Sequence, residues 1–176
     1  MQDSITLTIT DDSGFVAIVD ASAYQSFVAE DWELSQLFDH FVGEMNKGHL
    51  IMWATGAECD WTINFVKQAA AMASFREFYS TIEVTAGKLF LTNYEDLTMA
   101  AQYADEKIPS KHNAGRCIAL DNGRYLLRIR QLFDPNDDSY EPEGLVQFEI
   151  VIEAETTAKM QEVDQIFWWT GQRDGG

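Results

Sequence analysis

The chain has 176 residues, 46% of them hydrophobic and 12% aromatic, which is enough for a buried core and too apolar for a disordered chain. Lys and Arg total 12 against 29 Asp and Glu, a formal net charge of −17. That balance excludes the usual nucleic-acid binder, whose affinity comes from basic side chains on phosphates, and an anionic membrane surface would repel it.

Ile5-Thr6-Leu7-Thr8-Ile9-Thr10 alternates apolar and polar residues, the period-two mark of a half-buried strand. Asp11-Asp12-Ser13-Gly14 is turn chemistry, and Phe15 to Val19 reads as the returning strand. Leu34, Leu37, Phe38, Phe41, Val42 and Met45 recur at helical spacing and predict an amphipathic helix. Asp31 is its expected N-cap and Gly48 its expected terminator, with Glu33, Gln36, Asp39, His40 and Glu44 on the polar face. Leu50 to Ala54 predicts a buried strand with Trp61 to Val66 as its neighbour, while Gln68 to Ser74 suits a short helix or a loop. Phe78 to Thr85 and Lys88 to Thr92 predict a hairpin around Ala86-Gly87. Asn93 to Glu106 predicts a second helix with Leu97, Ala100, Ala101 and Ala104 on its apolar side, stopped before Pro109.

Asp121-Asn122-Gly123 is the strongest hairpin signal, because Asn-Gly adopts the positive φ angles of a tight type I′ turn. It is expected to join Cys117–Leu120 to Arg124–Phe133. In the second of these, Arg124, Leu126, Arg128 and Arg130 alternate with Tyr125, Leu127 and Ile129. Further on, Gln147, Glu149, Val151 and Glu153 alternate with Val146, Phe148, Ile150 and Ile152. Pairing these strands would set arginines against glutamates. Ile166-Phe167-Trp168-Trp169 closes the pattern as a last strand or a packed tail, with at least one of the two tryptophans available at the surface. The expected fold is mainly β (α+β): an antiparallel β-sandwich or open barrel of about eight or nine short strands with two helical insertions. It forms one globular domain over residues 1–176.

Tests for chemistry mostly fail. Cys59 and Cys117 are too few for a disulfide framework, form no CxxC, and fit a reducing compartment. His40, His49 and His112 show no ligand spacing, so no metal is expected. The loop from Asp134 begins like a calcium loop, but Ser139 stands where the turn needs glycine and Leu145 where the bidentate glutamate belongs. GxSxG, GxxxxGK[ST] and GxGxxG are absent. Cys59 lies between Glu58 and Asp60, and a negative field makes a thiol unreactive. No catalytic residue and no cofactor is predicted, and the expectation is a protein that is not an enzyme. Trp53 and Trp61 fall on strands and read as core. No apolar run approaches a spanning helix, and Met1-Gln2-Asp3-Ser4 lacks the flank of a signal peptide. A cytoplasmic monomer or weak dimer is the expectation.

What remains is the charge. Carboxylates gather at Glu30/Asp31/Glu33/Asp39, Glu58/Asp60, Glu95/Asp96, Asp105/Glu106 and across Asp134 to Glu143. The bland reading is a solvated surface that keeps the chain soluble. The functional reading is a contact surface for a basic protein. Its expected residues are Asp134, Asp137, Asp138, Tyr140, Glu141 and Glu143 in the loop, with Trp32, Glu33 and Asp39 at the first helix.

Three stretches carry a resemblance: Trp53-Ala54-Thr55-Gly56, then Ile82-Glu83-Val84 with Gly87-Lys88-Leu89, then Gly123-Arg124-Tyr125-Leu126-Leu127-Arg128-Ile129-Arg130. Together they resemble the competence-protein-J type of nuclease inhibitor and related small bacterial β-rich proteins, over roughly residues 50–130. The resemblance implies an inhibitor of a nuclease and assigns no residue a role. The function expected from sequence is therefore a non-enzymatic immunity or inhibitor protein that neutralises a basic partner such as a nuclease toxin. Two alternatives stand beside it: a phage-type anti-defence protein imitating DNA charge, and an enzymatic or small-molecule-binding sandwich with no local motif.

Overall fold

The alternating residues of Ile5–Thr10 do form a strand, β1 (Ser4–Asp11), but the strand beside it is not the next one in the chain. The computed structural model describes residues 4–137, 140, 145–155, 157 and 162–171. After β1 come β2 (Phe15–Val19), α1 (Leu34–Asn46), β3 (Leu50–Ala54), β4 (Cys59–Val66) and β5 (Arg76–Val84). They are followed by β6 (Lys88–Asn93), α2 (Tyr94–Gln102), β7 (Cys117–Ala119), β8 (Gly123–Gln131) and β9 (Phe148–Glu155). One sheet has five strands in the order β1-β4-β9-β8-β5, and the other four in the order β3-β2-β6-β7. The pairings are antiparallel except β4 with β9, and the sheets do not close into a barrel.

Four expected strand neighbours are overturned in the same way. β1 and β2, β3 and β4, β5 and β6, and β7 and β8 each lie in opposite sheets. Asp11–Gly14, Ala86-Gly87 and Asp121-Asn122-Gly123 therefore carry the chain across the sandwich rather than back along one sheet. Gly123 is already the first residue of β8, opposite Val84 of β5. Alternation says which side of a strand is buried, and two strands facing one interior from opposite sheets satisfy it as well as two neighbours do. Strands joined through a helix are the ones that pair: β2 with β3 across α1, and β6 with β7 across α2. The expected pairing of β8 with β9 is present, with Ile129 opposite Ile150 and Arg130 opposite Glu149.

Two buried aspartates hold these arches. Asp11, 1% exposed, accepts the Ser13 and Phe15 N–H groups at 3.1 and 3.0 Å, and the Thr55 hydroxyl and Trp61 indole N–H at 2.9 Å each. One carboxylate thus joins the β1–β2 arch, the β3–β4 arch and a core tryptophan. At the other end of β2, Asp20 accepts the Ser22 N–H at 3.0 Å and both the N–H and hydroxyl of Thr85 at 2.6 Å. That fastens the exit of β2 to the β5–β6 arch.

The helices cover the outer face of the four-stranded sheet. Leu37, Phe38, Phe41 and Met45 of α1 and Leu97, Ala100 and Ala101 of α2 pack with Ala17, Val19, Leu50 and Met52. The N-cap of α1 is Glu33 rather than Asp31, with the Glu33 N–H donating to the Gln36 side chain at 2.9 Å. Gly48 follows the helix at φ 77°, a left-handed conformation that glycine adopts without strain. α2 is capped by Asn93, which accepts the Asp96 N–H at 3.0 Å. It ends at Gln102, short of the expected Glu106, so Ala104 is exposed rather than buried. Between the sheets lies the main core, built on Val16, Ile18, Trp53, Trp61, Phe65, Ile129 and Phe148. Both Trp53 and Trp61 are core residues, as expected.

Residues 67–75 are irregular and cross the outer face of the five-stranded sheet, because β4 and β5 are separated there by β9 and β8. The crossing is held by a buried ion pair, Arg130 with Glu149, at 3% and 4% exposure. Glu149 accepts the Ala70 N–H at 3.1 Å, while Arg130 donates to the carbonyls of Ala70, at 3.2 Å, and Met72. The end of the chain is a packed tail. Phe167 bridges to Trp53 and stacks on Phe78 at 3.8 Å, and Trp169 stacks on Phe38 at 4.7 Å. Trp168 meets Phe78 edge-on at 4.8 Å and carries the Arg76 guanidinium over its ring at 4.2 Å. Both tryptophans are half-buried rather than open at the surface. No helix among the described residues is long and apolar enough to cross a membrane.

Asp11→Ala should lower stability in urea denaturation by about 3 kcal/mol, because it strands several buried donors at once. Asp12→Ala, at an exposed neighbouring position, should change it by less than about 0.5 kcal/mol. Equal effects would show that the arches are not held by Asp11.

Candidate functional site

The arches fastened by Asp11 gather acidic groups at one end of the sandwich. Asp12, Glu58 and Asp60 are exposed there, on or beside the β1–β2 and β3–β4 arches. β8 also ends here and runs into Asp134 to Asp137. Gly56, at φ 88°, lies so close to Pro135 that a Cβ would come within 2.9 Å of the proline ring, which seats the acidic loop on the β3–β4 arch. Asp134 accepts the Asn136 N–H at 2.9 Å, and the Asp137 carbonyl accepts the Tyr140 N–H at 3.0 Å. Tyr140 stacks on Phe133 at 4.8 Å, and Phe133 stacks on Trp61 at 5.3 Å. Burial pushes the Tyr140 phenol above its ordinary value, against a hydrogen bond with Gln147 that acts the other way. Its ring pins the loop to the core, and Asp134 and Asp137 are left at the rim. Asp138, Glu141 and Glu143 lie outside the described residues.

Arg76 lies beneath this rim. It donates to Gln131 at 2.6 Å and to the Ala54 carbonyl at 3.2 Å. Burial lowers its pKa, with Asp134 opposing that shift. The arginines of β8 are committed elsewhere, on the outer face of the five-stranded sheet: Arg124 to Glu83 at 2.5 Å, Arg128 to Glu77 at 2.7 Å, and Arg130 to Glu149. The Arg128 hydrogen bond, aided by Ser74, holds the Glu77 carboxyl below its ordinary value, and Glu77 in turn raises Arg128.

Of α1, Phe38 is the residue that reaches this end. Phe38 of α1 touches Trp169 and also Phe15, at 5.9 Å, where β2 leaves its arch. Glu33 and Asp39 are exposed on α1. Trp32 is half-buried against the helix layer, and its indole N–H finds no acceptor among the described residues.

Two hollows lie outside that rim. One, of about 790 Å³, sits by the β7–β8 arch between Lys67, Leu120, Asp121, Tyr125, Ile152 and Glu153. The Tyr125 hydroxyl there already donates to the Asp121 carbonyl at 2.9 Å. The other, of about 460 Å³, is a groove on the helix layer lined by Glu30, Asp31, Gln102, Tyr103, Ala104 and Asp105. Sequence reasoning noted Glu30/Asp31 and Asp105/Glu106 as separate clusters and missed that they meet. The expected helix ran through Glu106, and its early end turns Tyr103 and Asp105 toward the 27–34 segment. No group of three or more His, Cys, Asp or Glu able to hold a metal occurs among the described residues, and Cys59 and Cys117 are free thiols.

Glu44 was expected on the polar face of α1 but is 1% exposed. Burial alone would raise its carboxyl. Hydrogen bonds from Lys47 at 2.7 Å, His49 at 2.9 Å and the Gln25 N–H at 3.2 Å outweigh that and hold it below its ordinary value. Nearby, burial lowers His40 and raises the Tyr24 phenol, whose rings lie 5.7 Å apart. The buried carboxylate fastens the 20–25 segment to the end of α1.

No protein-family model matches the chain, and no curated protein matches its sequence. The fold does have solved counterparts. The protein described as Crocagin biosynthetic gene J aligns with a TM-score of 0.51 and 12% identity, over 85% of this chain and 94% of its own. ComJ from Bacillus subtilis, described as an inhibitor of the DNA-degrading activity of NucA, aligns with a TM-score of 0.47 and 15% identity, over 85% and 92%. The alignment with the crocagin protein is a likeness of fold alone.

The lowered pKa of Glu44 has a signed consequence. Its contribution to stability is fully present above its unfolded value, near 4.5, and is lost as the pH falls through its lower folded value. Glu44→Gln should cost about 2 kcal/mol at pH 7. Urea midpoints should show a smaller loss for the variant than for the parent between about pH 5 and pH 3. Parallel pH profiles would remove Glu44 from the acid-sensitive groups.

Proposed function

We propose that the protein is a non-enzymatic, acidic binding protein of inhibitor type that neutralises a basic partner, a nuclease being the favoured class. The observation that carries this is the division of charge. The β8 arginines are paired on the outer sheet face, while the arch end presents Asp12, Glu58, Asp60, Asp134 and Asp137 around a loop seated by Tyr140 and Pro135. Net charge of −17 is well beyond the magnitude of about 2–8 that keeps a small domain soluble. Such an excess repels itself in the folded state, so a partner that neutralises it would gain from association. Nuclease clefts are positive because they hold phosphates, and a carboxylate rim can be steered into one and block it. The sequence resemblance to nuclease inhibitors points the same way.

The test is inhibition and association kinetics against a panel of basic bacterial endonucleases. A cognate nuclease should stop degrading DNA on stoichiometric addition. Asp134→Lys with Asp137→Lys should cut the association rate about 10-fold at low salt, with dissociation changing less. Raising salt past the point where the Debye length falls to about 3–5 Å should slow the parent protein similarly. Binding indifferent to both, or a nuclease left active in the complex, would reject the reading.

A further inference from the structure

Arg76 is a half-buried cation without a counter-ion in a chain that carries 29 Asp and Glu. Arg124, Arg128 and Arg130 each meet a glutamate, and Arg116 donates to the carbonyls of Thr8 and His112 and to the Asn113 side chain. Arg76 stands with Phe78 and Ile82 on the core-facing side of β5, and its acceptors, Gln131 and the Ala54 carbonyl, are both neutral. It forms no ion pair with any described carboxylate, and Asp134 acts on it only at longer range. Its Nη1 bonds to no described residue and reaches the surface. Burial without a paired charge is costly for a guanidinium. The side chain is nevertheless held from two sides. Gln131 is 0% exposed and donates to the Thr55 carbonyl at 3.1 Å, which turns its oxygen to the Arg76 Nε–H at 2.6 Å. The Trp168 ring lies under the guanidinium at 4.2 Å. Trp168 is the one non-glycine residue at positive φ, 61°, among the described residues. A bulky side chain adopts that conformation only when its neighbours impose it. Here the Ala54 N–H donates to the Phe167 carbonyl at 2.9 Å on one side, and Trp169 stacks on Phe38 at 4.7 Å on the other.

We infer that Arg76, stacked on Trp168, receives a carboxylate of the partner protein, one flanked there by basic groups. With Nε given to Gln131 and one Nη2 hydrogen to Ala54, the Nη1 hydrogens and the second Nη2 hydrogen remain. That is the edge through which a guanidinium makes two parallel bonds to a carboxylate. Arginine and tryptophan are also the residues that most often dominate the energy of an interface. The class of the occupant follows from the surroundings. Asp12, Asp134 and Asp137 at the rim repel a dianionic phosphate and select an anion carried among cations. A nuclease cleft has that pattern, since carboxylates that hold metal ions or move protons stand among the cations that bind phosphate. The inference rests on the reading of the protein as an acidic binder of basic proteins, and adds to it a contact of opposite sign beneath the acidic rim.

The experiment uses the intact protein and a pair of capped peptides, acetyl-Lys-Asp-Lys-amide and acetyl-Lys-Asn-Lys-amide, followed by ¹H–¹⁵N spectra that include the arginine Nε–H signals. Arg76→Lys assigns the Arg76 Nε–H, and Trp168→Phe assigns the Trp168 indole. The aspartate peptide should shift both signals and bind about 10-fold more tightly than the asparagine peptide. Attraction to the acidic rim alone would give the reverse order, because the asparagine peptide carries the higher positive charge. Arg76→Lys keeps a cation but loses the fork, so it should erase the preference for aspartate. Should that variant fail to fold, cross-relaxation between the Arg76 and Trp168 side chains gives the assignment, and the peptide comparison on the parent protein decides. Inorganic phosphate should leave both signals in place. Equal or reversed peptide affinities in the parent, an Arg76 signal that does not move, or a shift with phosphate as large as with the aspartate peptide would overturn the inference. The inhibitor reading is scored separately, on nuclease activity. Capture of the aspartate peptide at Arg76 without inhibition of any nuclease would keep this site and reject that function, and a nuclease inhibited equally by the parent and a folded Arg76→Lys variant would do the opposite.

Discussion

The structure depends on a single kind of constraint, a buried carboxylate that satisfies the backbone of one arch with the side chains of another. Tight turns between strands of opposite sheets leave N–H groups pointing inward, where water cannot reach them. Asp11 and Asp20 accept those groups and so allow the chain to alternate between sheets at each short connection. Hairpins would have satisfied the same groups locally and produced a different topology. Asp11 also reaches Trp61, the ring on which Phe133 and then Tyr140 stack. The arch end and the acidic loop therefore share one foundation.

That arrangement sorts the charged residues by role. Asp11 and Asp20 are spent on structure, as are Glu44 on the 20–25 segment and Glu149 with Arg130 on the 67–75 crossing. A buried ion pair is weak evidence for net stability, since desolvation offsets much of its attraction. Its clearer effect here is to seat irregular backbone on the sheet, because both partners bond to the main chain of Ala70. The β8 arginines neutralise glutamates on the same face. Asp12, Glu58 and Asp60 at the arch rim and Glu30, Asp31 and Asp105 on the helix layer are exposed.

Much of the fold was legible in the sequence, for identifiable reasons. Strand positions, both helices and the β8–β9 pairing follow from periodicity, and the Arg130–Glu149 opposition follows from register. Which strands lie side by side was not legible where a short turn intervened. Asn122-Gly123 shows why: Asn122 spends its side chain on Gly87 and Thr85 of the neighbouring arch, at 2.7 and 2.9 Å, so the pair serves an inter-sheet crossing instead of a type I′ hairpin. Glu44 was misplaced because helical spacing cannot show that a loop will fold over a polar position. The exposure of the candidate contact residues was legible in part. Asp137, Glu33 and Asp39 are exposed as expected and Asp134 is half-buried, while Tyr140 and the tryptophans of the tail turned inward to stack. The groove beside Trp32 needed two segments far apart in sequence to meet, and no local pattern encodes that.

In the proposed function the acidic surfaces bind the partner and the arginine-laced sheet face does not. Hydrogen–deuterium exchange of the protein, alone and bound to a nuclease it inhibits, tests it directly. New protection should fall on residues 12–14, 55–60, 134–137 and 27–34, with residues 76–84 and 124–130 of the outer sheet unchanged. Protection centred on the outer sheet, or around Leu120 to Asn122 at the other end of the sandwich, would contradict it.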